Sequence, residues 1–588
     1  MLNENMENNL SIELEESKYE KVKTIKILNY YLHSKYKPLL EAKRIVDSSY
    51  KKNHLHILFG FGLGYIANAM LEKISDTDRL LIIEPSVKLF EIAMENSGNS
   101  LVINDKRVEI LLGTDTSLLG NKLNLYFQEY MGRFTIIQSP NYPKIYPEFF
   151  RDVLKISKEK LMMEVINNNT RQMFSLQWQE NYISNLYTAF TAYNIEEIKG
   201  KLTCPIVIAS GGPSLTKQLP LLKKLKNKAL IICAGSTVNS LLKEDINPNL
   251  VVTVDGGTAN YKHFEKINID NIPLVYPLIV HKGIPSNHNG KQVVFNISDV
   301  TVLNKLTNEL LSTELGIVQT GHSVANFCFN IALQITSGPI CLIGQDLAYT
   351  NKQTHALGNQ GFSIVDETKE KQRNMFYEEG YYGEDVLTDF IFLGMKSGFE
   401  YQINKFTESG NSRDIFNCTE GGLRIKGFNQ IPFSEFFERY CKIDYSDEIA
   451  SLLPDRENRV KWNDFYERLS DLKNEYNGVV DLASESLEVL KIVENNNYLF
   501  DQDSISKLDE FDLELRRILE NEFIFYILRP VLFKLQHSHL EIEDESEEEM
   551  NERIYNKSLI LYKGIKEAST QGIEWITKLL KKVEKHII

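Results

Sequence analysis

The sequence predicts an α/β protein with two successive sheets and a helical region after them. Three observations carry that reading. Short apolar runs rich in Ile, Val and Leu recur with helical stretches between them, two of these runs pass into glycine turns, and beyond residue 445 helical spacing takes over. At roughly 150 residues per domain, 588 residues correspond to three or four domains. The boundaries expected are 1–154, 155–444 and 445–588.

Residues from about 15 to 52 carry helical spacing of Ile, Leu and Tyr with Lys and Glu between. HLHILFGFGLGY then reads as strand, glycine turn and helix start, and RLLIIEPS, RVEILLG and RFTIIQSP as three further strands. This is a doubly wound, Rossmann-like domain ending near residue 150. From about 155 to 200 the text is helical and polar, without a strand signal. A second series follows in PIVIAS, ALIICAG, LVVTVDGG, IPLVYPLIV, KQVVFNI and GPICLIGQD. The helical stretches between these strands imply crossovers and a mostly parallel sheet. Residues 347–430 are rich in Gly, Tyr, Asn and Thr with little periodicity, the mark of a lid or binding insertion. The final region is helical, with aromatic residues such as Phe523, Phe525, Tyr526 and Phe533 expected in its core and the acidic run at 540–552 in solvent.

Composition narrows the function. The chain has 66 Lys+Arg against 80 Asp+Glu, a formal charge of −14, so nothing draws it generally to phosphate backbones and no nucleic acid is expected as partner. Hydrophobic residues are 43% and charged residues 25%, enough for several ordinary cores. No uncharged apolar run approaches the ~20 residues of a membrane span. The acidic start MLNENMENNLSIELEES is unlike a secretory leader, and a cytoplasmic protein is expected. The six cysteines form no C-x-x-C pair, which favours buried thiols over metal or redox duty.

Two glycine loops carry the candidate chemistry. Gly60, Gly62 and Gly64 follow a strand and precede a helix, with Glu84 at the end of the next strand placed to take ribose hydroxyls. The spacing is G-x-G-x-G, short of the full dinucleotide fingerprint, and a tight turn without a ligand explains it equally. The second loop is ASGGPSL. Gly211 and Gly212 can take positive φ and turn backbone N–H groups toward an anion, Pro213 suits an early helical position, and Ser214 can donate to a phosphate oxygen. It lacks the lysine of a nucleoside-triphosphatase loop.

Other polar residues converge on the same rim, because ligands of open α/β sheets bind beyond the carboxyl ends of strands. Strands of the second series end at Gly235-Ser236-Thr237, at Asp255-Gly256-Gly257, near His281 and at Gln345-Asp346, and a helix starts after Gly321-His322-Ser323. Singly, Ser236, Thr237 and Ser323 suit helix caps and Asp255 a turn; together they mark a nucleotide-type site. No D-x-D stands at a strand end to hold a cation against a diphosphate, and Asp501-Gln502-Asp503 lies in the helical region. A nucleotide with a single phosphate fits better, and no metal ligand set is assigned.

The GGPSL loop, the VDG strand end, the TGHSVAN helix start, GQDLAYT with Thr354-His355 and Gly358, and NCTEGGLRIKG together resemble the Maf family, the motility-associated flagellin glycosyltransferases. The resemblance covers most of the chain and implies a central α/β domain similar to bacterial sialyltransferases (GT-A-like), flanked by the Rossmann-like and helical domains. It further implies transfer, in the cytoplasm, of a nonulosonic acid of the pseudaminic or legionaminic type from its CMP-activated donor to Ser or Thr of flagellin. The donor would lie on Gly211, Gly212, Pro213 and Ser214, with Ser236, Thr237, Asp255, Gly256, His322, Ser323, Gln345, Thr419 and Gly421 around it. No cofactor beyond the donor is expected, and a divalent metal is left open. Cys418 stands where the family often has Ala, and Tyr381-Tyr382-Gly383 matches only loosely.

Such a transfer needs a base near the acceptor and hydrogen-bond donors near the phosphate. Asp346 or His355 is the expected base, and Glu420 is expected to bind sugar or acceptor, with Thr419, Gly421 and Gly422 shaping its loop. The C-terminal helices are a reasonable dock for flagellin. Two rival readings stand beside this one. The loop region is also similar to the archaeal 6-hydroxymethylpterin diphosphokinase, which would use ATP and Mg²⁺ with Asp255 and Asp346 as carboxylates. The third is a flagellin-binding protein without chemistry.

Overall fold

The computed structural model describes residues 11–587 except 97–99, 131, 299–300, 456–460, 519, 521 and 540–544. It divides into two compact units, Met1–Arg171 and Gln172–Ile588. The helix Pro147–Ala189 runs through the point of division.

The first unit begins with three short antiparallel strands, β1 Ile12–Glu16, β2 Lys23–Ile27 and β3 Tyr30–Tyr31, where the sequence reading expected helix. The reason is local. I-E-L-E and K-T-I-K-I alternate with period two, which buries Ile25 and Ile27 and leaves Lys26 paired across the ladder with Glu13 at 3.0 Å. The helix comes later, at Pro38–Ser49, with the proline in its first turn. The four strands read from the sequence follow as β4 Leu55–Phe59, β5 Arg79–Glu84, β6 Val108–Leu112 and β7 Phe134–Gln138. They pair in parallel in the order β6-β5-β4-β7. β4 is buried at every position, as a central strand covered on both faces requires. The strand order reverses between β4 and β7, and that is where an open sheet forms its crevice.

The second unit carries a larger parallel sheet. Its strands are β8 Tyr193–Asn194, β9 Ile206–Ala209, β10 Leu230–Ala234, β11 Leu250–Val252, β12 Leu274–Pro277, β13 Gln292–Ile297, β14 Ile317–Val318 and β15 Ile340–Ile343. The insertion folds more regularly than its composition suggests. A hairpin of β16 Phe376–Glu379 and β17 Asp385–Thr388 leads to the helix Phe390–Glu408, whose Asp389 cap accepts from the Phe392 amide at 2.9 Å. The chain then returns to the sheet as β18 Ile415–Asn417 and β19 Asn429–Gln430. The order is β14-β13-β12-β11-β10-β9-β15-β18-β19, with β8 also on β13. Here the reversal falls between β9 and β15, because the chain builds outward from β9 through β10 and then crosses back.

Each face of this sheet has a core. On one, Ile206, Ile208, Ile232 and Val252 pack with Phe329 and Ile331 of the helix Val324–Ile335. On the other, Val207, Ile231 and Val251 share a single cluster with Leu186 and with Phe465, Tyr476 and Ile576 of the helices Trp462–Asn495 and Glu547–Val583. The boundary expected at 444/445 thus runs through one hydrophobic core. The side chains of Phe523, Phe525, Tyr526 and Phe533, and residues 540–544 of the acidic run, lie outside the described residues. All six cysteines are buried and unpaired. Among the described residues no helix is long and apolar enough to cross a membrane.

Candidate functional site

The second glycine loop sits at the reversal point, between the ends of β9 and β15. Neither Gly211 nor Gly212 takes positive φ, in contrast to the sequence expectation. They are required for close approach instead. A Cβ on Gly212 would strike the Asp346 carboxylate and the Gly344 carbonyl, and one on Gly211 would lie 2.9 Å from the Asn359 amide and 3.2 Å from the Thr237 hydroxyl.

The loop is braced from behind by Asp346, which is 1% exposed. Its Oδ1 accepts from the Ser214 hydroxyl at 2.7 Å and the Thr350 hydroxyl at 2.7 Å, and its Oδ2 accepts from the Ser214 amide at 3.1 Å. Burial pushes this carboxyl above its ordinary value, while the Ser214 and Thr350 hydroxyls pull it back. The geometry therefore corrects one expectation and bears on another. Ser214 turns its hydroxyl inward to Asp346 and not outward to a phosphate. Asp346 has both oxygens engaged and is buried, so it holds the loop and presents no exposed face. Two amides of the loop are engaged within the protein: Ser214 N–H by Asp346, and Gly212 N–H by the Gly344 carbonyl at 2.8 Å.

A further layer lies behind Asp346. Buried Gln345 accepts from the Ser210 hydroxyl at 2.5 Å, and its amide donates to the Thr419 hydroxyl at 3.1 Å. Gly422, at φ +72°, packs its Cα against the Asp346 backbone, and Gly421 faces the Ser214 hydroxyl. Gln345, Thr419 and Gly421 thus support the loop from within the fold. Glu420 is half-buried, with φ +56°; its carboxylate accepts from the Phe433 amide at 3.2 Å and its carbonyl from Lys217 at 2.5 Å.

The open side of the loop is lined differently. His355 is half-buried, and its Nδ1 lies 3.0 Å from the Gly361 carbonyl. A carbonyl only accepts, so Nδ1 carries a proton, and in the neutral ring Nε2 holds the lone pair. Gly361 lets the imidazole lie flat, since a Cβ there would stand 2.9 Å from the ring. Burial lowers the His355 pKa, with His263 and Arg373 adding to the shift, so the ring is neutral near pH 7. Asn359 ties this segment to the head of the helix Gly235–Leu242, donating to the Ser236 carbonyl at 3.0 Å. Thr237, in that helix's first turn, is fully buried, and its hydroxyl has no protein partner.

Asp255 reaches solvent at the end of the β11 segment although protein closes round it on most sides; burial raises its carboxyl pKa and His263 opposes the rise. Beside Asp255, Gly256 packs under the Trp178 indole, and its carbonyl accepts from Asn181 at 2.9 Å. Asn185, one turn on, donates to the Leu278 and Val280 carbonyls at 2.8 and 2.7 Å. The two asparagines fix the loops after β11 and β12. His281 stacks on Tyr261 with centroids 4.7 Å apart.

His322 and Ser323 sit elsewhere on the rim. Ser323 caps the helix Val324–Ile335 in a reciprocal box with Asn326, whose amide reaches the Met395 carbonyl at 3.1 Å. That is the capping role of Ser323. Pro213 is buried beside the loop. Sequence reasoning missed Asn359, Gly361, Lys217, Trp178 and Asn181, and held Thr350 only as the last residue of GQDLAYT. Asn359 follows the TH pair in the same insertion, and only its spacing to it could have singled it out.

The fold and rim define an open parallel α/β protein with a polar crevice beyond the strand ends of its larger sheet. A family model described as 6-hydroxymethylpterin diphosphokinase MptE-like matches residues 180–352. An uncharacterised protein of Treponema pallidum (strain Nichols) is 21% identical over 210 residues, 35% of this chain and 70% of that protein. Among solved structures, the Maf glycosyltransferase of Magnetospirillum magneticum AMB-1 matches in fold with a TM-score of 0.56 and 16% identity, over 98% of this chain and 93% of that one. The likeness to Maf proteins read from the motifs is thus met in the fold, and the kinship of the loop region to the pterin enzyme in the family model.

Proposed function

We propose that the second unit is a glycosyltransferase that moves a nonulosonic acid of the pseudaminic or legionaminic type from its CMP-activated donor to Ser or Thr of flagellin, in the cytoplasm. The observation that carries this reading is His355, its Nδ1 held by the Gly361 carbonyl, beside a half-exposed Gly211 and the unpartnered Thr237 hydroxyl. A fold shared along the chain with a Maf glycosyltransferase supports it.

In this reading the donor phosphate lies against Thr237 and the head of the helix Gly235–Leu242, whose first amides and partial positive charge favour an anion. His355 Nε2 takes the proton of the acceptor hydroxyl, the acceptor oxygen bonds to the anomeric carbon, and the bond from that carbon to the phosphate oxygen breaks with its electron pair leaving on CMP. Asp346, Ser214 and Thr350 hold the loop in register while charge develops. Asp255, exposed at the end of the β11 segment, accepts a hydrogen bond from a sugar hydroxyl. Glu420 shapes the loop beside them. No resident cofactor enters these steps.

The match of residues 180–352 to the pterin diphosphokinase model favours a second reading, phosphoryl transfer from ATP. The two carboxylates it would offer to Mg²⁺ stand in unlike settings, Asp255 wet and Asp346 buried behind the loop. Calorimetry with CMP, UDP and ATP plus Mg²⁺ separates the two. The transferase reading expects CMP to bind at least about tenfold more tightly than UDP, and binding to be lost in Gly211→Leu, whose side chain fills the cleft. Binding of ATP with Mg²⁺ in place of CMP moves the assignment to the diphosphokinase. The intact mass of flagellin incubated with the protein and a CMP-nonulosonate then tests transfer itself.

A further inference from the structure

The first unit presents the same architectural invitation as the second, a glycine loop at the reversal point of a parallel sheet. Its crevice is occupied by the chain. From the facing lip after β7, Tyr142 lays its ring on Gly60, where any side chain would sit, and its hydroxyl accepts from Gly62 N–H at 2.8 Å while donating to Glu84 at 2.6 Å. Glu84 Oε2 also accepts from the Phe61 amide at 2.8 Å, and Oε1 from the Ser86 amide at 2.9 Å. His33 lies against Gly62, and its Nε2 accepts from the Leu63 amide at 2.8 Å. Gly60 N–H goes to the Ile83 carbonyl and Gly64 N–H to the Phe61 carbonyl.

All five amides of residues 60–64 therefore donate to protein acceptors, and all five residues are buried. Glu84, Tyr142 and His33 are at most 2% exposed. The acidic residue that would hold ribose hydroxyls instead faces inward and takes loop amides. We propose that the first glycine loop is a self-occupied anion site, with Glu84 as internal carboxylate and Tyr142 and His33 as its walls, so that Met1–Arg171 is a ligand-free scaffold and the chain binds nucleotide at the second loop alone. Burial holds the His33 pKa down at about 3, which keeps its Nε2 available as an acceptor across the neutral range.

The opposite assignment, Glu84 as ribose ligand, makes contrary predictions. The full chain carrying Gly211→Leu, which silences the second loop, is titrated with S-adenosylmethionine, NAD⁺ and ATP, and hydrogen exchange is followed at residues 61–63. Expected are no saturable binding and slow exchange, with Glu84→Gln speeding exchange at 61–62 by at least about tenfold. Where Glu84→Gln unfolds the unit, Tyr142→Phe keeps the ring and speeds exchange at Gly62. Saturable binding of any of the three probes that Glu84→Gln weakens, or fast exchange of these amides in the wild-type loop, overturns the proposal.

Discussion

The two glycine loops of this chain occupy equivalent places and differ in what faces them. After β4 the loop is met by an aromatic ring, an imidazole and a carboxylate, all buried, and each loop amide is satisfied inside the protein. After β9 the carboxylate, Asp346, braces the loop from behind, while Gly211 stays half-exposed toward His355, Asn359 and Thr237. The lesson is that a glycine pattern reports close approach and not the identity of what approaches. In the first unit the approaching group is the protein; in the second, one side of the loop stays half-exposed. An unmet donor, not the glycine spacing, tells the two apart.

The largest effect is expected where the second loop's open side does chemistry. His355→Ala should lower transfer by about 10²–10⁴-fold while CMP affinity changes little, read from flagellin mass against time and from calorimetry. Because burial lowers the His355 pKa, the wild-type rate should rise with pH through a midpoint below 6.5 and stay flat above it. Asp346→Asn should behave differently. The amide keeps Oδ1 for the Ser214 and Thr350 hydroxyls but sets an NH2 donor against the Ser214 amide that Oδ2 accepted, which should cost about 1–3 kcal/mol of stability, with CMP affinity and rate falling together. A fall in rate alone, with binding and melting intact, would make Asp346 the base after all and erase the proposed division between the two faces of the loop.

The closed loop makes a pH prediction of nearly the same size. Glu84 is fully buried, and burial raises its pKa from 4.5 to about 7 against the pull of Tyr142 and the amides of Ser86, Phe61 and Gly62. Besides Tyr142, His33 is the titratable group packed on the loop, and it stays neutral. A carboxyl raised in the folded state is protonated in both states below pH 4.5 and ionised in both above pH 7. Folding therefore takes up a proton between these limits, and the first unit loses stability as pH climbs through them, by about 3 kcal/mol in all. Urea titrations at pH 5 and pH 8, followed by exchange in the first unit, should show this loss in wild type and not in Glu84→Gln. An equal slope in both would place the proton elsewhere.

Much of this was legible in the sequence, for reasons that also explain the rest. Buried parallel strands are continuous apolar runs, so Leu55–Phe59, Arg79–Glu84, Ile206–Ala209 and Leu230–Ala234 stand out. The opening hairpin was obscured because Lys and Glu between Ile residues suit either period over five residues. β18 has only three residues and is defined by its neighbour β15 more than by its own text. The residues of the site were legible as a set, since strand ends converge by topology. Their division into support and cleft was not. Whether Asp346 faces a ligand or the Ser214 hydroxyl depends on the crossing of β15 beside β9, a contact across 132 positions that no local pattern encodes.

The smallest predicted effect is the most discriminating, because it has opposite signs on two axes. The Thr237 hydroxyl is buried without a protein partner. Thr237→Val keeps the branched shape and removes a buried hydroxyl that has no protein partner, so melting should hold steady or rise by about 1 kcal/mol of stability. The donor phosphate, by contrast, loses a hydrogen bond, and the Kd for CMP should rise about tenfold. Were Thr237 only a helix-end residue, the substitution would leave CMP binding unchanged. Were its hydroxyl bonded to structural water, melting would fall. Only a site built for an anion predicts a protein that becomes no less stable and yet binds its nucleotide less well, and the first loop, with every amide already satisfied, offers no substitution of that kind.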